Sequence, residues 1–230
     1  MMMKTVSRFI IGLILLPFCY GAGVSFWKAL HPITQLQESS AYFVSGIVLY
    51  FFFEWIFFRP IRTYVFGHEL THAIATWLSG GKVKEFHVSK NGGHVSVTKT
   101  NFVVALAPYV IPLYSVFFLG LYAAINYFYP LGLYWRFFLL FLGMTFGFHM
   151  ALTIYALQQN QPDLKVAGKF LSGIFIFLGN ILCIVGLFHG LFPKSISVTK
   201  WGHDTGIYSW RTYQTVGIGI RKGYETLRRN

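Results

Sequence analysis

The chain has 230 residues, 55% hydrophobic and 11% charged, whereas a soluble domain keeps about a quarter of its residues charged because its surface faces water. Most of this surface must therefore face lipid, and 25 Phe, 14 Tyr and 6 Trp suit a lipid-facing wall with aromatic belts at its edges. The net charge of +12 does not point to nucleic acid: the 19 Lys and Arg fall between and after apolar stretches, where anionic headgroups account for them, and no nucleic-acid-binding motif accompanies them.

Residues 9–27 form an apolar run behind Lys4 and Arg8. No small-x-small cleavage site follows a short core, and the run is long enough to span, so a retained anchor is expected. A second run, residues 41–58, carries Glu54 as its only charge and ends at Arg59-Pro60. A helical pattern follows through residue 78 and is closed by Gly80-Gly81. Residues 83–98 change to period two around Asn91-Gly92-Gly93, which predicts a strand, a turn and a strand. Three more apolar runs, 102–128, 133–157 and 168–192, each suffice to cross ~30 Å of hydrocarbon at about 1.5 Å per residue. The tail from Lys194 holds seven basic residues with Trp201, Tyr208, Trp210 and Tyr213 among them, and is expected at a membrane surface. Cys19 and Cys183 lie inside apolar runs and read as small buried hydrophobes.

The chemistry is concentrated in His68-Glu69-Leu70-Thr71-His72. On a helix, positions i and i+4 differ by about 40° in azimuth and ~6 Å in height. Both imidazoles can therefore reach one zinc ion, and Glu69 lies beside them to take a proton from water that the metal activates. Incidental histidines on a polar helix are the bland reading. Against membrane, though, three ionisable groups in five residues are costly and argue for function.

A catalytic zinc takes three protein ligands and one open position. The chain has seven carboxylates: Glu38, Glu54, Glu69, Glu85, Asp163, Asp204 and Glu225. Glu54 lies 14 residues before His68, about 21 Å away if the helix is continuous. Glu85 falls on the hairpin, Glu38 in the first loop, and Asp204 and Glu225 in the tail. Asp163 follows Asn160-Gln161-Pro162, where the proline breaks the helix and lets the carboxylate turn inward. Asp163 is the preferred third ligand. His149, inside an apolar run, is the competitor, as an alternative ligand or a group that steadies substrate. His31, His189 and His203 have bland readings, and His87 and His94 are polar members of the hairpin.

With Gly67 before the pentad and Ala73 after it, followed by the glycine pair, the hairpin and an apolar run, the chain resembles the site-2 protease family of intramembrane zinc metalloproteases. The resemblance covers roughly residues 60–170. In that family a later span supplies a zinc-binding aspartate within Asn-x-x-Pro and Asp-Gly elements; here Asn160, Pro162 and Asp163 are compressed and Leu164 replaces the glycine, which marks a divergent member. It implies a Zn2+-dependent endopeptidase whose substrate is a single-pass membrane protein cut within or near the bilayer. An exposed hairpin edge could hold such a substrate as an added strand.

The expected fold is an all-α polytopic membrane protein of the cell membrane, with about five to six transmembrane helices and a small β-hairpin after the metal-binding helix. Residues 1–192 form the embedded metalloprotease domain and 193–230 the basic tail. With five spans the amino terminus, pentad, hairpin and Asp163 share one face and the tail falls on the other; a sixth span through the pentad would instead bring the tail to the amino-terminal face. The rival function is a non-catalytic metal-binding scaffold or transporter with a protease-like fold. Such a scaffold would tolerate loss of Glu69, which is present.

Overall fold

The computed structural model describes residues 2–34, 37–89, 92–159 and 161–229; Asn91 of the turn and Asn160 lie outside them. Nine α-helices and one hairpin are found among these residues: α1 Met2–Thr34, α2 Gln37–Ile56, α3 Ile61–Leu78, β1 Val83–Ser89, β2 Gly92–Val97, α4 Phe102–Val110, α5 Leu113–Phe128, α6 Trp135–Gln158, α7 Asp163–Ala167, α8 Lys169–Leu191 and α9 Val198–Arg229. Four stretches are long and apolar enough to cross a membrane, Thr5–His31, Ser39–Ile56, Gly132–Gln158 and Lys169–Leu191; α4 and α5 make a fifth if the pair, bent by 71°, is one span. Outward-facing residues such as Val44, Val48 and Phe52 on α2 leave large apolar areas uncovered, as lipid rather than water requires. The protein is an all-α polytopic membrane protein with a small hairpin.

The chain divides into two compact units, residues 36–167 and residues 1–35 with 168–230. The tail expected from residue 193 is mostly one long helix, α9, which belongs to the same unit as α1 and α8.

In the unit of residues 36–167, α2 and α6 cross at glycine. A Cβ on Gly46 would lie 2.0 Å from the Leu140 carbonyl oxygen, and one on Gly143 would lie 2.0 Å from that of Phe43. Small residues at such points let backbones touch, the usual solution where lipid removes the hydrophobic drive to associate. Tyr50 and Phe148 pack edge to face nearby, 5.7 Å apart.

The run of residues 41–78 is broken at 57–60, so Glu54 is not one continuous helix away from His68. It accepts a hydrogen bond from Tyr50 Oη at 3.0 Å and from Arg59 Nε at 2.6 Å. Glu38, expected in a loop, sits in the first turn of α2. α3 ends at Ser79, and Gly80 at φ +73° turns the chain away, a conformation in which glycine meets no Cβ penalty. The hairpin pairs Val83 with Val97 and His87 with His94 in antiparallel register. Asn101 caps α4 by accepting from Val104 N–H at 2.8 Å.

The 102–128 run, read as one helix, is two. Pro112 forces Ile111 into an extended conformation, φ −89° and ψ 112°, which ends α4.

In the other unit, α1 and α8 are parallel. Phe9 packs on Phe170, Gly12 faces Ile174, and Ala22 shares a core with Ile181 and Val185. α9 runs the opposite way along α1, Trp201 and Val198 packing on the Ala22 core, Thr205 and Ser209 meeting Gly21, and Tyr213 Oη donating to the Ile14 carbonyl. Cys19 and Cys183 are free thiols, half-buried.

Candidate functional site

Helix α3 carries the pentad on its buried side, with Gly67, Glu69, Thr71 and His72 inside and Arg62 and Phe66 outside. Gly67 is needed for packing, since a Cβ there would lie 2.7 Å from the Tyr114 ring. His68 and His72, one turn apart, turn their Nε2 atoms to the same point, and α7 delivers Asp163 there. Asp163 Oδ2 is 3.6 Å from His68 Nε2 and 3.4 Å from His72 Nε2. The three ligand atoms lie within 4.8 Å of one another, the one such group of His, Cys, Asp and Glu found among the described residues. A tetrahedral ion with bonds of about 2.0–2.1 Å keeps its ligands roughly 3.4 Å apart, so the two His–Asp separations match ligand spacing and the donor set fits a metal ion such as zinc.

Each of the three has an outer partner that fixes its orientation. His72 Nδ1 donates to the Val104 carbonyl at 2.8 Å; a carbonyl only accepts, so Nδ1 carries the proton and Nε2 keeps its lone pair. His68 Nδ1 lies 3.0 Å from Tyr64 Oη, a hydroxyl able to accept from it and so compatible with the same tautomer. Tyr109 Oη donates to Asp163 Oδ2 at 3.1 Å, and its ring stands edge-on to that of His68. Outer contacts of this kind set ring orientation and ligand basicity.

The charges follow the geometry. Burial works against ionising Asp163, but the adjacent His68 and His72 more than offset it and hold the carboxyl well below its usual range. Burial likewise opposes charge on His72, and Asp163 reverses the balance, so its pKa is raised. Glu69 differs: burial pushes its carboxyl up, with the two imidazoles pulling the other way. A carboxyl held above its ordinary range is suited to taking and returning a proton near neutral pH.

Glu69 faces a cavity of about 440 Å³ that also holds His68, His72 and Asp163. The opposite wall is β2, which contributes the consecutive residues Gly92, Gly93, His94 and Val95. Side chains alternate along a strand, so consecutive residues border one space only where the backbone edge faces it. Gly93 lies against the Glu69 side chain, and a Cβ there would be 2.9 Å from Glu69 Cγ.

The remaining candidates lie elsewhere. His149 is outside the ligand group and lines a narrow recess with Gly67, His68 and Tyr114. Glu85 and His94 approach to 3.8 Å on the exposed hairpin, and His87 stacks near His94 with centroids 5.6 Å apart. His189 contacts the Ile196 carbonyl at 2.6 Å, and His203 faces Asp204 at 3.6 Å in the open. Tyr64, Tyr109, Val104 and Gly93 were not anticipated. Tyr64 was within reach of sequence reasoning, since it stands four residues before His68 on the same helix face; the other three depend on long-range packing.

A family model described as peptidase M50B-like matches residues 40–191, two-thirds of the chain, with the pentad and Asp163 inside the match. The chain belongs to the peptidase M50B-like family. Membership holds at the level of the site-2 proteases, whose motif the pentad resembles, and gives this peptidase M50B-like protein a metallopeptidase kind and a multi-pass membrane setting. No curated protein and no solved structure matches the chain. The family match leaves out α1 and the start of α2 at one end, and α9 at the other.

Proposed function

We propose that the protein is a zinc-dependent intramembrane endopeptidase of the cell membrane, hydrolysing a peptide bond of a single-pass membrane protein. One observation carries the reading: two imidazole nitrogens and a carboxylate oxygen converge at ligand spacing beside a buried glutamate that faces a cavity edged by a strand. His68, His72 and Asp163 would hold Zn2+. When bound, that ion supplies Lewis acidity, which polarises the scissile carbonyl and makes water a nucleophile near neutral pH.

The chain's own groups do the rest. Glu69 accepts a proton from the attacking water and passes it to the departing amide nitrogen as the C–N bond breaks. Tyr64, the Val104 carbonyl and Tyr109 keep the three ligand atoms aimed. The β2 edge offers backbone hydrogen bonds to an extended substrate segment, and strand pairing fixes the peptide carbonyl relative to Glu69.

The test compares purified variants for zinc content and for cleavage of a single-span substrate in one membrane mimetic. Glu69→Gln retains zinc and loses cleavage, and His68→Ala loses both. Wild-type cleavage by Glu69→Gln would refute the assignment and return the protein to a metal-binding scaffold or transporter.

A further inference from the structure

We propose that α9 crosses the membrane against α1 as a sixth span and returns the carboxyl terminus to the face on which the chain begins. Its position along α1 is fixed at several levels. Val198 and Trp201 pack in a core with Ala22 and, partly buried beside them, Phe26 and Leu30. Thr205 and Ser209 lie against Gly21 so closely that a Cβ there would be 2.9 Å from the Thr205 carbonyl oxygen and 2.6 Å from Ser209 N. Tyr213 reaches the carbonyl of Ile14. α9 thus runs antiparallel along α1 from the level of Leu30 to that of Ile14, inside the stretch Thr5–His31 that is suited to spanning. A helix held along a span shares its depth. From the level of Ile14, nine more residues bring α9 level with Thr5, so Arg221, Lys222 and Arg228 emerge at the end where α1 starts.

The surface of α9 agrees. Ile207, Trp210, Val216, Ile218 and Ile220 are exposed; hydrocarbon solvates them, whereas water would leave an apolar wall uncovered. Small residues carry the contact with α1, as in membrane helix pairs. The cost is Arg211 in the middle of the crossing and Asp204 nearer its start, the latter 3.6 Å from His203. Composition alone therefore does not mark α9 as a span, and its packing on α1 must hold it in place.

The parallel course of α1 and α8 supplies an independent constraint. Two parallel spans require an odd number of crossings between them. α2, α6 and the bent α4–α5 pair counted once make three; a re-entrant bent pair would need α3 to supply the third, and α3 is not among the stretches long and apolar enough to span. In either count α8 is the fifth crossing and α9 the sixth. Arg8, Lys169, Arg221, Lys222 and Arg228 then gather on one face, which the positive-inside rule makes cytoplasmic.

The experiment is single-cysteine labelling of the full chain in sealed, oriented vesicles, with Cys19→Ala and Cys183→Ala removing the native thiols. The three reporters are Thr5→Cys, Lys194→Cys in the α8–α9 connection, and Thr226→Cys. A membrane-impermeant maleimide should modify Thr5→Cys and Thr226→Cys from one face and Lys194→Cys from the other. Modification of Thr226→Cys from the Lys194→Cys face, or from both faces in one preparation, overturns the sixth span. Modification of Thr5→Cys and Lys194→Cys from one face overturns the count of five before it.

Discussion

Gly93→Ala adds one methyl group between β2 and the helix that carries Glu69. The new Cβ would stand 2.7 Å from Val65 Cγ1, 2.8 Å from the His87 carbonyl oxygen and 2.9 Å from Glu69 Cγ. Carbon atoms rest about 3.5–4.0 Å apart, so the groups must separate by roughly 0.6–1 Å. The His87 oxygen is backbone and Val65 is anchored on α3, which leaves the Glu69 side chain or the whole strand to move. A misplacement of about 1 Å near the reacting atoms can cost ~10²-fold in rate, about 2.7 kcal/mol of barrier. Overpacking itself typically costs 1–3 kcal/mol of stability. The metal ligands are not among the displaced atoms. Gly93→Ala should therefore lower cleavage of a single-span substrate by about two orders of magnitude at full zinc content, read as turnover at saturating substrate with metal per protein measured on the same sample. Wild-type turnover in Gly93→Ala, or a fall in turnover matched by loss of zinc, would refute the argument from strand placement.

Three further outcomes are expected. Tyr109→Phe removes the hydroxyl that donates to Asp163 Oδ2 and should weaken zinc binding ~10–100-fold, read by competition with a chelator. Asp163→Ala should lose zinc and activity together while His149→Ala keeps zinc; the reverse pattern would transfer the ligand role to His149. Val95→Pro or Val97→Pro should reduce cleavage without removing zinc, because proline deletes a backbone donor and disturbs an edge; unchanged turnover in both would make the hairpin a structural cap.

The pentad was legible because its geometry is local: two residues one turn apart share a helix face in any sequence that forms the helix. The hairpin was legible through its period and its glycines. Asp163 could be approached only by elimination among seven carboxylates, since nothing local says that α7 packs against α4 and α3. Tyr109 and the Val104 carbonyl were illegible for the same reason, as both act on residues more than thirty positions away. The break at Pro112 had a local signal, but hydropathy, unlike backbone geometry, runs smoothly across it. The course of α9 was hidden most completely. Its lysines and arginines read as a tail for a surface, and only Gly21 meeting Thr205 and Ser209 shows that it lies along a span.

The crossing of α2 and α6 limits how the protein can open. At Gly46 and Gly143 the two backbones are in direct contact, with no side chain between them to swing aside. Rotamer changes, the cheapest motions available to a packed bundle, cannot widen this seam. A helical substrate of the kind the proposed function requires would therefore meet a closed door between α2 and α6. α5 is the opposite case, with Ser115 as its one buried residue and a proline-bent junction at its start. Under the proposed function, entry from the lipid would fall to α5, whose seam with α6 is made by side chains such as Phe118 and Tyr122 that can change rotamer.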